Sequence, residues 1–437
     1  METAPASRTP DDSLRSSAFT ASWLLYAGYY LCRENLRTVW LLPGTPFLAD
    51  DLSRLLSTFA LAYVLGNLVA GAWADAKGAR QVALAGGLIS AFSTAAMLLV
   101  HIGTGLLWLQ LLNGFGQGLG FPALARLLAA WFHREERPGI LAWWSASYSL
   151  GGILAVSLTI WCATTNFLLP AWGWHRSLIL PPLLLALVSL WFYRTTRDDP
   201  QSLALAAISP PHLSANWDNG WWSVLASSHI RTISAMYFFL KMTRYAMLFW
   251  LPLYLVQTAH ASESRAASTV SLFELFGFVG ALLAVRISAR SFDGRRYPVA
   301  TLLLCTVGFL SLLEPLIAPF GWWASAANIA AMGMMVYGVD SLMTSIAVLE
   351  SVPLSHAARS IAVVNGAGSL GQMLAPLLVT WFVHNFGWNN LFNLFLVTSL
   401  LGIAVVAPHW NESAEATEEP IIAQTQADET AEARLAR

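Results

Sequence analysis

Arg33 and Arg244 lie inside stretches that otherwise read as membrane spans. Arg33 interrupts SWLLYAGYYLCRENLRTVWLLP, and Arg244 interrupts MYFFLKMTRYAMLFWLPLYL at the matching place in the second half of the chain. A charged side chain at bilayer depth costs about 2.5–3.5 kcal/mol on insertion scales, so each needs a compensating anion. The planar guanidinium fork grips phosphate through two parallel hydrogen bonds, and two forks in symmetric places predict an anion site between the halves. The plain alternative is that each arginine pairs with a carboxylate and locks helices together, with Glu34 and Glu274 available. Lys241, one of only two lysines in the chain, lies three residues before Arg244 and shares its helical face. It is either a third anion ligand or the partner of an acid such as Glu274 or Asp340. Tyr26 and Tyr30 share a helical face with Arg33, placing phenol donors beside the same anion; packing with a polar tip is the other reading.

These residues must be positioned by a helical bundle in a membrane. Of 437 residues, 56% are hydrophobic and 11% charged, against about 25% charged in a soluble domain. The fold class is therefore an all-α integral membrane protein. A span takes about 20 apolar residues, and about twelve stretches qualify. The first six cover roughly 18–40, 55–75, 80–101, 104–130, 138–163 and 175–193. The second six cover roughly 230–257, 267–289, 297–318, 321–349, 358–385 and 387–408. The expected organisation is a cytoplasmic segment 1–17, a six-helix half 18–193, a polar central loop 194–229, a second half 230–408 and a disordered acidic tail 409–437. Many of the 20 tryptophans sit at the ends of apolar runs, as an interfacial belt requires. Lys77, Arg80, Arg134, Arg137, Arg194, Arg197, Arg290, Arg295, Arg296 and Arg359 fall on one side; Arg54, Arg176 and Arg265 fall on the other. That bias predicts cytoplasmic termini in the inner (plasma) membrane.

The halves read as a repeat. Each opens with a span holding a central arginine, and each has a basic, glycine-containing turn after its second span, GAWADAKGAR and ISARSFDGRR. Gly71 with Asp75 and Arg80 in the first turn predict a charge network that gates the cytoplasmic side. Arg126, near the cytoplasmic end of the fourth span, is a further gating candidate whose other reading is a snorkelling structural residue. Glu350 and Arg359 predict a similar gate in the second half. Cys32, Cys162 and Cys305 show neither metal-ligand nor disulfide spacing, so no metal and no cofactor is expected. A net charge of −1 offers no field for nucleic acid. His133 and His175 stand singly, no nucleophile–histidine set appears, and an enzyme is not expected.

Two six-span halves joined by a long loop resemble the major facilitator superfamily, with its site at the midplane between parallel halves. Within it, the motifs resemble the organophosphate:phosphate antiporters, the group of glycerol-3-phosphate and hexose-6-phosphate exchangers and a related sugar-phosphate sensor. YYLCREN is similar to that family's first span, GFGQGLGFPALARLLAAWF to its fourth, WWSASYSLGG to its fifth, TRYAMLFWLPLYL to its seventh, FELFGFVGALLAVRIS to its eighth, and YGVDSLMTSIAVLE and VVNGAGSLG to its tenth and eleventh. The resemblance implies Arg33 and Arg244 as substrate arginines and Tyr26, Tyr30 and Tyr63 as binding-site tyrosines. It implies exchange of a phosphate ester for inorganic phosphate by a monomer in the bilayer. The chain departs from the pattern at Glu34, Asn67, Tyr148, Lys241, Phe249 and Ala289. The expected site is Arg33, Arg244, Tyr30, Tyr26, Lys241, Tyr63 and Tyr148, with Asp75, Arg80, Arg126 and Glu350 as gating residues. A transporter-like sensor is one rival. A proton-coupled organic-anion transporter using Glu34, Glu274 or Asp340 is another.

Overall fold

The computed structural model describes residues 10–40, 49–100, 103–165, 170–198 and 220–412. Most of the central loop and the acidic tail beyond residue 412 lie outside the described residues. Those described are helical, with no strand among them. The first half contains α1 (Pro10–Arg33), α2 (Asn35–Trp40), α3 (Ala49–Lys77), α4 (Ala79–Ala96), α5 (Thr104–Trp131), α6 (Arg137–Trp144), α7 (Ala146–Thr164) and α8 (Leu180–Thr195). A short helix, α9 (Trp221–Ala226), precedes the second half. That half contains α10 (Ser228–Thr258), α11 (Glu263–Ser291), α12 (Arg296–Ile317), α13 (Trp322–Ser341), α14 (Val348–Glu350), α15 (Ala357–Phe386) and α16 (Leu391–Val406).

Among the described residues, nine helical stretches are long and apolar enough to cross a membrane. Three more helices, α1, α5 and α10, run through the same bundle at 24, 28 and 31 residues. They are less apolar for a local reason: they carry Arg33, the buried amides Gln110, Asn113 and Gln117, and the Lys241–Arg244 pair. α1 also begins earlier than the apolar run does. Arg15 holds its first turns to the end of α5, bonding to the Trp131 carbonyl and the Glu136 carboxylate and lying over the Phe132 ring.

The repeat is visible in the packing. α1 packs on α7 and α8, as α10 packs on α15 and α16; α3 packs on α5, as α11 packs on α13; α4 packs on α8, as α12 packs on α16. Across the halves, α3 lies along α15, and α11 meets α6 and α7. Small residues let the paired helices approach. A Cβ on Gly280 of α11 would collide with the carbonyl oxygen of Met334 in α13, and a Cβ on Gly118 of α5 with that of Tyr63 in α3.

Several helices are interrupted. α1 ends at Arg33, the chain bends at Glu34, and α2 resumes at Asn35. α6 and α7 are separated at Ser145. Between α13 and α14 the helix widens to a π-helical segment, Leu342–Ala347, a form that concentrates at functional sites.

Gly280→Ala should lower the melting temperature of the detergent-solubilised protein by several degrees, because backbone must move to admit the methyl group. Gly152→Ala, whose nearest neighbour is a Tyr30 ring atom at 3.7 Å, should melt within a degree or two of the parent.

Candidate functional site

All three helix interruptions face one cavity between the halves. It is lined on one side by Tyr26, Tyr30, Arg33, Tyr63, Trp144, Ser145 and Tyr148, and on the other by Tyr237, Lys241, Arg244, Tyr245, Asp340 and Asn365. The π-helical segment and the residue before it add Ser341, Thr344 and Ser345. The space among them, its open mouth included, is about 490 Å³.

Arg33 is held by an amide, not by an acid. Its Nε donates to Gln117 Oε1 at 3.1 Å, and its guanidinium lies 4.7 Å from the Tyr30 ring and 5.1 Å from the Tyr63 ring. Gln117 is itself fixed, donating to the Tyr29 carbonyl at 2.7 Å and Ser90 Oγ at 2.8 Å. Arg33 Nη2 is buried without a hydrogen-bond partner. No carboxylate pairs with Arg33 among the described residues. Glu34, its neighbour in sequence, pairs with Arg37 at 3.2 Å instead.

Lys241 is also without a carboxylate among the described residues. Its Nζ donates to Asn365 Oδ1 and Ser369 Oγ, both at 2.9 Å. Asn365 passes the contact across the halves, donating to Tyr63 Oη at 3.1 Å and Asn67 Oδ1 at 2.9 Å. The ammonium lies 5.6 Å from the Tyr63 ring and 5.9 Å from the Tyr245 ring. Since Tyr63 also faces Arg33 and Tyr245 also faces Arg244, Lys241 stands between the two guanidiniums.

Arg244 differs from both. Its Nη1 donates to Asp340 Oδ2 at 2.7 Å, and the guanidinium stacks 3.9 Å from the Tyr337 ring. Tyr148 lies 5.5 Å from it and stacks on Tyr337. Arg244 Nε and Ser341 Oγ are buried without hydrogen bonds, and Tyr237 hydrogen-bonds Asp340. Tyr26 is an aromatic packing residue as well as a lining one, stacked on Trp144 at 4.7 Å.

The seven expected binding residues thus share one cavity. The four residues expected to gate do not form one network. Asp75 accepts from Arg126 Nε at 3.1 Å and from the backbone N–H groups of Ala358 and Arg359 at 3.1 and 3.0 Å. A carboxylate here caps the N-terminus of α15, where the helix presents free donors and partial positive charge. Arg80 stands apart, its Nε donating to the Tyr193 carbonyl at 2.7 Å and its guanidinium lying over the Tyr193 ring. Glu350 pairs with Arg296 through two bonds of 2.7 and 3.0 Å, and its carbonyl accepts from Arg134 at 2.9 Å. Arg359 joins Asp75 instead of Glu350, since it opens α15 directly beneath α3. These contacts close the halves against each other at the basic end. At the opposite end Arg37 crosses the halves, reaching the Leu248 carbonyl at 3.5 Å and the Phe249 ring at 4.8 Å.

Residues 19–349 match the family model described as Major Facilitator Superfamily. The chain belongs to the major facilitator superfamily. As a superfamily member it is a multi-pass membrane protein with a transporter's architecture. It is 26% identical over 420 residues to the glycerol-3-phosphate transporter of Bacillus subtilis, covering 91% of this chain and 93% of that one. It is 27% identical over 421 residues to the membrane sensor protein UhpC of Escherichia coli, covering 89% and 90%. The proton:xylose symporter XylE superimposes with a TM-score of 0.72 over 94% of this chain and 98% of that one, at 14% identity; at that identity the likeness is one of fold.

Several residues of the site escape a reading of charge alone: Tyr245, Asn365, Ser341, Thr344 and Ser345 line the cavity, and Gln117 and Tyr337 contact its arginines. A signal for two of them is present in the sequence. Gln110, Asn113 and Gln117 recur on one face of an otherwise apolar helix, and Asn365 and Ser369 are four apart on another.

Asp75→Ala should leave Arg126 half-buried without its acid and α15 uncapped, destabilising the protein by about 3–5 kcal/mol. In a double-mutant cycle, Arg126→Ala should cost about 1–3 kcal/mol less in the Asp75→Ala background than alone. Additive melting shifts would show that the pair does not act as a unit.

Proposed function

We propose that the protein is a secondary active transporter that exchanges an organic phosphate ester for inorganic phosphate. One observation carries this reading: three cations, Arg33, Lys241 and Arg244, line one cavity, and among the described residues Arg244 alone of the three forms an ion pair, with Asp340. The excess of about two positive charges suits the dianion of a phosphate monoester. The similarity to a glycerol-3-phosphate transporter over nearly the whole chain supports the same substrate class.

The mechanism follows from the cost of burying charge. Rocking the halves to close the cavity must take Arg33 and Lys241 out of water, and desolvating an unpaired ion costs several kcal/mol. A bound phosphate neutralises both and removes that barrier, while an empty site retains it. Return of the empty carrier is then slow, and phosphate-for-ester exchange is favoured over net flux. Asp75, Arg126 and the start of α15 join the halves at the basic end, and Arg37 joins them at the other, so alternation requires these two sets of contacts to release in turn. The lysine and arginine bias supports a cytoplasmic basic end with both termini on that side of the inner membrane, and in this reading the chain acts as a monomer.

A sensor that binds a phosphate ester without moving it is favoured by one observation, the similarity to UhpC over 89% of the chain. Flux separates the two readings. In proteoliposomes loaded with phosphate, the parent should take up labelled phosphate by counterflow, and Arg33→Lys should lose at least 90% of it because an ammonium lacks the planar fork. Binding without counterflow would favour the sensor, and full exchange by Arg33→Lys would remove the guanidinium from the mechanism.

A further inference from the structure

Glu314 is a buried acid that does not line the cavity between the halves. It lies near the end of α12, a helix that Arg296 opens at the basic end. At about 1.5 Å per residue, Glu314 is about 27 Å from that end. Its neighbours on α13, Ser325 and Asn328, are about 18–23 Å along that helix from Asp340. The acid therefore belongs to a second polar cluster, inside the second half and toward the end opposite the basic one.

Among the described residues, the groups bonded to this acid are neutral. Asn328 Nδ2 donates to Glu314 Oε2 at 2.8 Å and to the Leu310 carbonyl at 3.1 Å. The Ser325 hydroxyl bonds the same carboxyl group. No cation pairs with it. From α10, Tyr254 is close enough to interact with Glu314, and Thr258 is bonded to Tyr254. The Tyr254 ring packs on Phe392 of α16 at 4.8 Å, and α16 carries no charged residue. Arg265 of α11 reaches the head of α13 but turns to the Trp322 ring at 5.4 Å.

The cluster is short of one donor. Asn328 Oδ1 is buried without a hydrogen bond, although the nitrogen of the same amide touches the carboxyl group. Both amide protons of Asn328 are committed, to Glu314 and to Leu310, and a serine hydroxyl has one proton to give. An ionised carboxylate brings only further acceptors, and burying it without a cation is strongly unfavourable. One proton answers both demands. It neutralises the acid, and its O–H supplies the donor that Asn328 Oδ1 lacks.

We propose that Glu314 is a proton-binding site of the second half, separate from the substrate cavity. The proton sits on the carboxyl group and is shared with the Asn328 amide oxygen, while Ser325 bonds the carboxyl group from the same helix. A metal ion in this place would meet the Asn328 nitrogen beside the carboxyl group; a proton does not compete with it. α10 carries Lys241 and Arg244, and α13 carries Asp340. The bound proton therefore joins the two helices that place the cavity's charged wall. Glu314 is about one turn from the end of α12 at Ile317, and Phe320 just beyond is exposed, so the proton exchanges with the medium on the side opposite the basic end.

Infrared difference spectra of the purified full-length protein in detergent, parent minus Glu314→Gln at neutral pH, test this. The parent should show the C=O band of a protonated carboxyl group that the variant lacks. Asn328→Ala keeps the acid, removes its acceptor and should shift that band, which decides the question even if Glu314→Gln does not fold. Melting temperature gives a second readout. The unfolded chain releases this proton above about pH 4.3, so stability drawn from holding it is lost as the pH rises. The parent should lose melting temperature relative to Glu314→Gln between about pH 5 and about pH 8. The variant keeps the shape and offers an N–H to Asn328, so at about pH 5 it should melt within about two degrees of the parent. Bands of an ionised carboxylate in the difference spectrum, a band unmoved by Asn328→Ala, or a melting difference that ignores pH would overturn the proposal. Stabilisation of the parent by sodium chloride over choline chloride, absent in Glu314→Gln, would also overturn it, because a metal ion would then stand in place of the proton.

Discussion

Two cations without acids, Arg33 and Lys241, set the constraint on which the rest of the molecule depends. An unpaired charge in a low-dielectric interior is strongly unfavourable, so everything near them is arranged to make their burial tolerable. Tyrosine rings supply their negative faces, from Tyr30 and Tyr63 to Arg33 and from Tyr63, Tyr237 and Tyr245 to Lys241. Buried amides supply oxygen acceptors, and those amides are fixed by bonds of their own, as Gln117 is by Tyr29 and Ser90. These neutral contacts hold the cations in position yet leave their charge available. An acid at the same place would stabilise the fold more and leave nothing for an anion to do.

The same logic explains why the helices are broken where they are. A continuous α-helix presents only side chains to its surroundings. The bend at Glu34, the break at Ser145 and the π-helical segment after Ser341 each widen or redirect a helix at the depth of the cavity. Irregular backbone at membrane depth is tolerated where it lines a cavity instead of lipid. The rigid parts of the halves, by contrast, are regular and closely packed through glycines such as Gly118 and Gly280. Among the described residues, regular and closely packed helices therefore flank an irregular, polar seam.

At the basic end the halves are joined by a different kind of contact. Asp75 serves two helices at once, accepting from Arg126 in its own half and from the α15 backbone in the other. Charge-assisted bonds of this type are directional and few. They hold one state well and are lost together when the helices part, which suits a gate better than a broad apolar contact would.

Much of this was legible in the chain itself. The all-helical membrane fold follows from composition and spacing, because each helix must satisfy its own backbone in a membrane whatever its neighbours do. Arg33, Arg244 and Lys241 were visible for the same reason, as charges where apolar residues belong. What the sequence left open was which acid, if any, each cation meets. Glu34 is adjacent to Arg33 yet turns to Arg37, and Asp340 reaches Arg244 from 96 residues away. Arg80 and Arg359, near the turns that suggested gates, were separated into different contacts. Pairing of this kind is settled by how α13 packs on α10 and how α15 lies on α3. Ion pairing falls off within a few ångströms, so it depends on distances that only the assembled bundle sets.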